Sequence, residues 1–131
     1  MAIGVGISGP RSSGGGGGAT GGYVRPSEWL AMTTLSNGDD KIVLLVAVWE
    51  NASNFLSLKC STSSGTYTIA WGDGNTSSGI TSAAQSDHVL DYSGLSADTS
   101  AYGYRQAIVT ITADSGNLTV FNLNVRHGSG T

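Results

Sequence analysis

The stretch Tyr67-Thr-Ile-Ala-Trp-Gly-Asp-Gly74 limits what this chain can become more than any other. Tyr67, Ile69 and Trp71 alternate with Thr68 and Ala70, the two-residue period of a strand with one buried face. Gly72-Asp73-Gly74 then ends the strand abruptly. Glycine reaches positive φ at no steric cost, and an Asp side chain accepts hydrogen bonds from nearby backbone N–H groups. A large aromatic followed at once by a tight turn sets where a sheet stops and how the next strand begins. The expectation is the central hairpin of a β-sandwich.

The other periodic segments agree with an all-β chain. Lys41 to Trp49 is apolar on both faces, with Ile42, Leu44, Val46 and Val48 on one and Val43, Leu45, Ala47 and Trp49 on the other. A sandwich strand normally keeps one face polar. The second face is therefore expected to be covered, by the segment around Trp29 or by another subunit, and Trp29, Ile42, Leu44, Val46 and Val48 are the candidate interface residues. Leu56, Leu58 and Cys60 alternate with Ser57 and Lys59. Residues 75–86 read as polar and irregular, and Ser93 to Gly103 as a second polar loop. Ala107, Val109 and Ile111 mark an inward strand face. Ser115-Gly116-Asn117 predicts a hairpin turn into a last strand with Phe121, Leu123 and Val125 inward and a bulge near Val120.

The N-terminal part follows other rules. In residues 1–22, Ile3, Val5 and Ile7 alternate with glycine before a run of five glycines, Gly14 to Gly18. Poly-glycine buries too little surface to offset its ordering entropy, so this arm is expected to act as a tether. Ile3, Val5 and Ile7 are then either a disordered tail or a docking strand that adds to a sheet edge on another protein. Residues 23–40 form a linker in which Pro26 keeps Arg25 extended and Trp29 staples the segment to the domain. Residues 128–131, Gly-Ser-Gly-Thr, read as the start of a further linker.

Totals exclude several function classes. A chain of 131 residues has room for one domain and an arm. With 11% charged residues, a net charge of -3 and no basic cluster, it lacks the electrostatic footprint of a nucleic-acid binder. The longest apolar run falls far short of the ~20 residues that span a bilayer. The single cysteine, Cys60, rules out an internal disulfide framework and reads as a small buried hydrophobe.

Chemistry-bearing residues are few. Asp73 and Asn75 do not continue into a twelve-residue calcium loop, so Asp73 is expected to bond turn amides. His88 lies near Asp87 and Asp91, but both acids fall off its alternation, and a packing or hydrogen-bonding histidine is expected. No serine sits in Gly-x-Ser-x-Gly, and Gly72-x-Gly74 lacks the third glycine of a dinucleotide loop. No catalytic, cofactor-binding or metal-binding residue is therefore assigned. Tyr102 and Tyr104, beside the second polar loop, are candidates for stacking on a sugar.

Three pieces now stand in order: Trp71-Gly-Asp-Gly74, Asp87-His88-Val-Leu-Asp-Tyr92 and Gly103-Tyr104-Arg-Gln-Ala-Ile-Val-Thr-Ile-Thr112. Together they resemble the polycystic-kidney-disease (PKD) domain, an immunoglobulin-like antiparallel β-sandwich, over residues 41–127. The chain departs from that pattern where Trp71 abuts Gly72 and where three residues separate His88 from Tyr92. The whole chain also resembles structural proteins of tailed phages, marine ones in particular. That likeness is carried by Tyr23-Val-Arg-Pro-Ser-Glu-Trp-Leu30, Leu45-Val-Ala-Val48, Asn54-Phe-Leu56, the Trp-Gly-Asp-Gly corner, Gly103 to Thr110 and Leu118 to His127. It implies a virion component such as a fibre or a head or tail accessory protein. Its partners would be other virion proteins, met through the arm, and further copies of itself, a trimer being the first expectation. The competing expectation is a carbohydrate-binding module for adhesion to a host.

Overall fold

The computed structural model describes residues 3–4, 22, 24–50 and 54–124, with the backbone alone at 3, 4 and 124. Its strands are β1 (Ile3–Gly4), β2 (Lys41–Val48), β3 (Phe55–Thr62), β4 (Thr66–Ala70), β5 (Thr76–Thr81), β6 (Gln85–Val89), β7 (Arg105–Ala113) and β8 (Leu118–Asn124). They form two antiparallel sheets, one in the order β1-β2-β7-β4-β5 and one in the order β6-β3-β8. The only helical turns among the described residues are 3-10 turns at Tyr92–Gly94 and Ser100–Tyr102.

The inner faces follow the alternation of the sequence. Leu44, Val46 and Val48 of β2, Ile69 of β4 and Ala107, Val109 and Ile111 of β7 meet Leu56, Leu58 and Cys60 of β3, with Tyr67, Trp71, Leu90 and Leu95 completing the buried cluster. Burial pushes the Cys60 thiol up to about 11, so it stays protonated and inert at neutral pH. Tyr67 is buried without leaving its hydroxyl unpaired, because it donates to the Ala84 carbonyl at 2.6 Å.

Several expectations need correction. Leu44, Val46 and Val48 are core residues of this chain and Ile42 packs against them, so this face of β2 is not open to a partner. It is the other set, Val43, Leu45, Ala47 and Trp49, that looks outward. The Ser115–Asn117 turn is not a hairpin. Both edges of β7 are already taken, by β2 and β4, so β8 crosses to the other sheet and pairs with β3. The turn's partner is the other inter-sheet corner: Ser63 N–H donates to the Asn117 carbonyl at 2.8 Å, and Asn117 N–H donates to Ser63 Oγ at 2.9 Å. Residues 75–86 are not irregular but hold β5 and the start of β6. Their alternation is blurred because β5 is an edge strand whose register against β4 shifts between Tyr67 and Ile69. The Trp71 turn does join a hairpin, β4 to β5, but that hairpin ends its sheet instead of lying at its centre. Opposite Ser61 and Thr62, the register of β8 shifts between Leu118 and Val120, where the sequence suggested a bulge.

The outward face of β7 is met by residues 28–30. The Gln106 side chain, on β7, accepts from Leu30 N–H at 2.9 Å and donates to the Glu28 carbonyl at 2.8 Å. Trp29 N–H closes the turn on the Pro26 carbonyl at 3.2 Å, and the Arg25 guanidinium donates to the Leu30 carbonyl. The staple is thus an amide on β7 reading the backbone on either side of Trp29. Of the arm, Ile3 and Gly4 pair with Val46 and Leu45 of this same chain. Val5, Ile7, the glycine run and residues 125–131 lie outside the described residues. Replacing Gln106 by Ala leaves two backbone groups without partners. The expected cost is about 1–2 kcal/mol in chemical denaturation, with faster proteolysis within residues 24–40.

Candidate functional site

The Trp71 corner brings a buried carboxylate, a histidine and an indole together. Trp71 closes the turn by donating its N–H to the Asn75 carbonyl at 3.0 Å, while its indole N–H donates to Ser77 Oγ on β5 at 2.9 Å. Gly72 sits at φ +83 with its Cα against β7; a Cβ there would lie 2.5 Å from the Ile108 carbonyl oxygen and 2.8 Å from its nitrogen. Those are backbone atoms of a doubly paired strand and cannot move aside, so both the conformation and the space demand glycine.

The turn delivers Asp73 into the gap between the sheets. Its side chain is fully buried. Oδ1 accepts the Asn75 N–H at 3.0 Å; Oδ2 accepts the Asp91 N–H at 2.9 Å and lies 2.8 Å from His88 Nε2. Burial pushes the carboxyl up, but the Asp91 N–H, His88 and the Asn75 N–H outweigh it together and hold the group at about 2. An ionised carboxylate only accepts, so Nε2 of His88 carries the hydrogen in this bond. The His88 ring stacks on Trp71 with centroids 4.7 Å apart and planes at 23°.

Arg105 secures the chain that follows. Its guanidinium lies 4.3 Å over the Tyr92 ring and donates to the Tyr92 and Leu95 carbonyls at 2.9 and 3.1 Å. Asp91, exposed, is held below the usual carboxylate range by the Ser93 hydroxyl and N–H. The expected residues Trp71, Gly72, Asp73, Gly74, His88 and Tyr92 therefore converge at one corner. Asp87 does not join them; it accepts from the Gln85 side chain at 2.9 Å. Three of the four lone-pair directions of the Asp73 carboxylate are engaged, and no described hydroxyl or thiol bonds His88. The pair joins the two sheets. Among the described residues no three His, Cys, Asp or Glu side chains converge to hold a metal.

A second feature lies at the outward end of β2 and β7. Tyr102 and Tyr104 have ring centroids 6.4 Å apart, and Tyr104 lies 5.7 Å from Trp49. Trp49 is a residue that sequence reasoning assigned only to an apolar face. Its place beside Tyr104 follows from the ladder, which ends at Val48 opposite Arg105 and continues outward by one pair. The backbone of Trp49 is clamped by Asn54, which accepts its N–H at 3.1 Å and donates to its carbonyl at 2.7 Å. Tyr102 is 64% exposed, yet its turn is closed by its own N–H to the Thr99 carbonyl at 2.9 Å.

Compared with family models, curated proteins and solved structures, the chain matches none. Function therefore rests on these residues and on the resemblance in sequence.

The Asp73 lock has a pH signature. Because the folded carboxyl titrates below its ordinary 3.8, its contribution is complete above that value and is lost as pH falls toward about 2. Denaturation at stepped pH is expected to show a loss of roughly 2 kcal/mol over that window from Asp73 alone. Asp73→Asn should be less stable at neutral pH and show a shallower slope. A residual slope remains from Asp91 and Asp114, whose carboxyls are also held low, the latter by the Thr66 and Thr68 hydroxyls.

Proposed function

We propose that this chain is a structural component of a tailed-phage virion, a fibre or a head or tail accessory protein, whose N-terminal arm ties a β-sandwich to the particle. The observation that carries the reading is the pairing of Ile3 and Gly4 with Val46 and Leu45. The beginning of the arm takes the extended form on a sheet edge and is held there by main-chain bonds. In this structure the edge belongs to the same chain; on this reading, attachment to the particle exchanges that strand onto a neighbouring subunit's edge. The corner supports a scaffold over a catalyst, since Asp73 and His88 are occupied in joining the sheets. The low charge suits a surface held in permanent contact with other proteins. On this reading the partners are virion proteins and further copies of the chain. Nucleic acid, membrane and cofactor have no part in it.

The finer fold assignment in this proposal is PKD-like. An immunoglobulin constant-type sandwich places strands A, B, E and D in one sheet and C, F and G in the other. With β2 to β8 taken as seven successive strands, β3 with β6 corresponds to the pair B–E and β4 with β7 to the pair C–F. Three strands have changed sheets: β2 lies on β7, β8 on β3, and β5, at the D position, on β4 instead of β6. We read the chain as a PKD-like sandwich that keeps the B–E and C–F pairs while its first, fourth and last strands change sheets.

A second reading, binding of neutral carbohydrate during host adhesion, is favoured by the row Trp49, Tyr104 and Tyr102. The C–H face of a sugar ring packs on an aromatic face, and a clamped backbone presents such rings at little entropic cost.

Removing residues 1–22 is expected to leave the sandwich folded by circular dichroism while the chain disappears from purified particles on immunoblots; undiminished incorporation would refute the arm's role. For the second reading, retardation in gels containing neutral polysaccharide should be lost on Tyr102→Ala. A wild-type chain that no neutral polysaccharide retards would end that reading.

A further inference from the structure

The strands at the sheet borders are not equally protected. In the five-stranded sheet, β1 covers part of β2, and β5 is distorted by its register shift and by Gly79 at φ +66. In the other sheet, β6 carries Asp87 at its middle. Short covering strands, irregularities and charges all keep an edge from pairing with another chain. β8, Leu118-Thr-Val-Phe-Asn-Leu-Asn124, has no charge and no proline over seven residues, and its irregularity is confined to its start. It pairs with β3 on one side; among the described residues no strand pairs with the other. One donor at its start is taken by a side chain from across the seam, Leu118 N–H to the Asp40 carboxylate at 2.6 Å.

The core also reaches the surface beside β8. Leu118, Phe121 and Leu123 pack against the buried cluster yet remain partly exposed. Ile42, Leu118, Val120 and Phe121, with Asp40 and Lys41, line an open groove of about 290 Å³. Val120 is 48% exposed.

We infer that two copies of this chain pair through β8, edge to edge and antiparallel, joining their three-stranded sheets into one continuous sheet. In a two-fold contact each strand faces its own sequence. The register that uses all of β8 centres on Phe121. It opposes Phe121 to Phe121 and Val120 to Asn122, and it brings no charges together. The same operation on β6 would centre on Asp87 and oppose two carboxylates, which is unfavourable. β8 is uncharged and its full-length antiparallel register against itself opposes no like charges, so the partner proposed is a second copy of the chain. This inference does not depend on the virion reading, and it gives a two-fold pair where a fibre would suggest three-fold symmetry.

The test is light scattering coupled to size exclusion on the full chain at micromolar concentration. The wild type is expected at twice the chain mass of 13.3 kDa. Val120→Lys with Asn122→Lys opposes lysines across the two-fold and should halve the apparent mass. Val120→Lys with Asn122→Glu opposes lysine to glutamate and should keep the pair. Both positions are exposed, and circular dichroism checks that each variant folds. A monomeric wild type, or a paired Lys/Lys variant, overturns the proposal; loss of pairing in both variants overturns the register. Should the Lys/Lys variant not fold, hydrogen exchange of the β8 amides in the wild type decides. Protection that rises with concentration supports the pair, and protection that does not change refutes it.

Discussion

Two sheets packed face to face are held chiefly by apolar contact, which has no direction of its own and specifies their register less sharply than a hydrogen bond does. The Asp73 carboxylate adds the directional contact. It sits on the turn that ends β4 and takes hydrogen bonds from its own turn, from His88 on β6 in the opposite sheet, and from the backbone just beyond it. Its burial would be costly for a lone charge, and the donors around it reverse that cost, as its depressed pKa shows. Trp71 stacks on the same histidine, so the apolar and polar contacts share one register. Gly72 is the condition for all of it, because only a residue without a Cβ lets the turn approach the backbone of β7.

The same device recurs away from the corner. Gln106 reads the backbone at Glu28 and Leu30, Asn54 clamps both backbone groups of Trp49, and Arg105 collects carbonyls from the loop after β6. In each case one side chain satisfies the main chain of a segment that has no ladder partner. Irregular stretches are thereby fixed without secondary structure of their own. What they present outward, the ring row at Trp49, Tyr104 and Tyr102, is held in place by these bonds and by the β2–β7 ladder, not by a pocket. The groove beside β8 has the opposite origin. It exists because β8 belongs to the smaller sheet and leaves the apolar seam partly open.

Much of the inward pattern was legible in the sequence. Tyr67, Ile69 and Trp71, and again Ala107, Val109 and Ile111, are buried as their alternation requires, because a strand's side-chain period is local geometry. β5 was not legible, since an edge strand with a register shift buries too little for an apolar alternation to be needed. The turn at Ser115–Asn117 looked like a hairpin because turn chemistry reports a change of direction, not the sheet that receives the next strand. At the site, the residues of the corner were identifiable, but the bond between Asp73 and His88 was not. It spans 15 residues and two sheets, and no periodicity encodes a distance across a sandwich.

The sequence by itself determined the alternation of most strands, the positions where the chain must turn, and the scatter of its few Lys and Arg residues along the chain. Each of these depends only on neighbours within a few residues or on composition. Which strands pair, which of two apolar faces of β2 is the core, and which edge has no strand partner among the described residues were decided by the tertiary structure alone. The reason is that β7 has only two edges: once β2 and β4 occupy them, β8 must cross to β3, and its place as a border strand among the described residues is set by that exclusion.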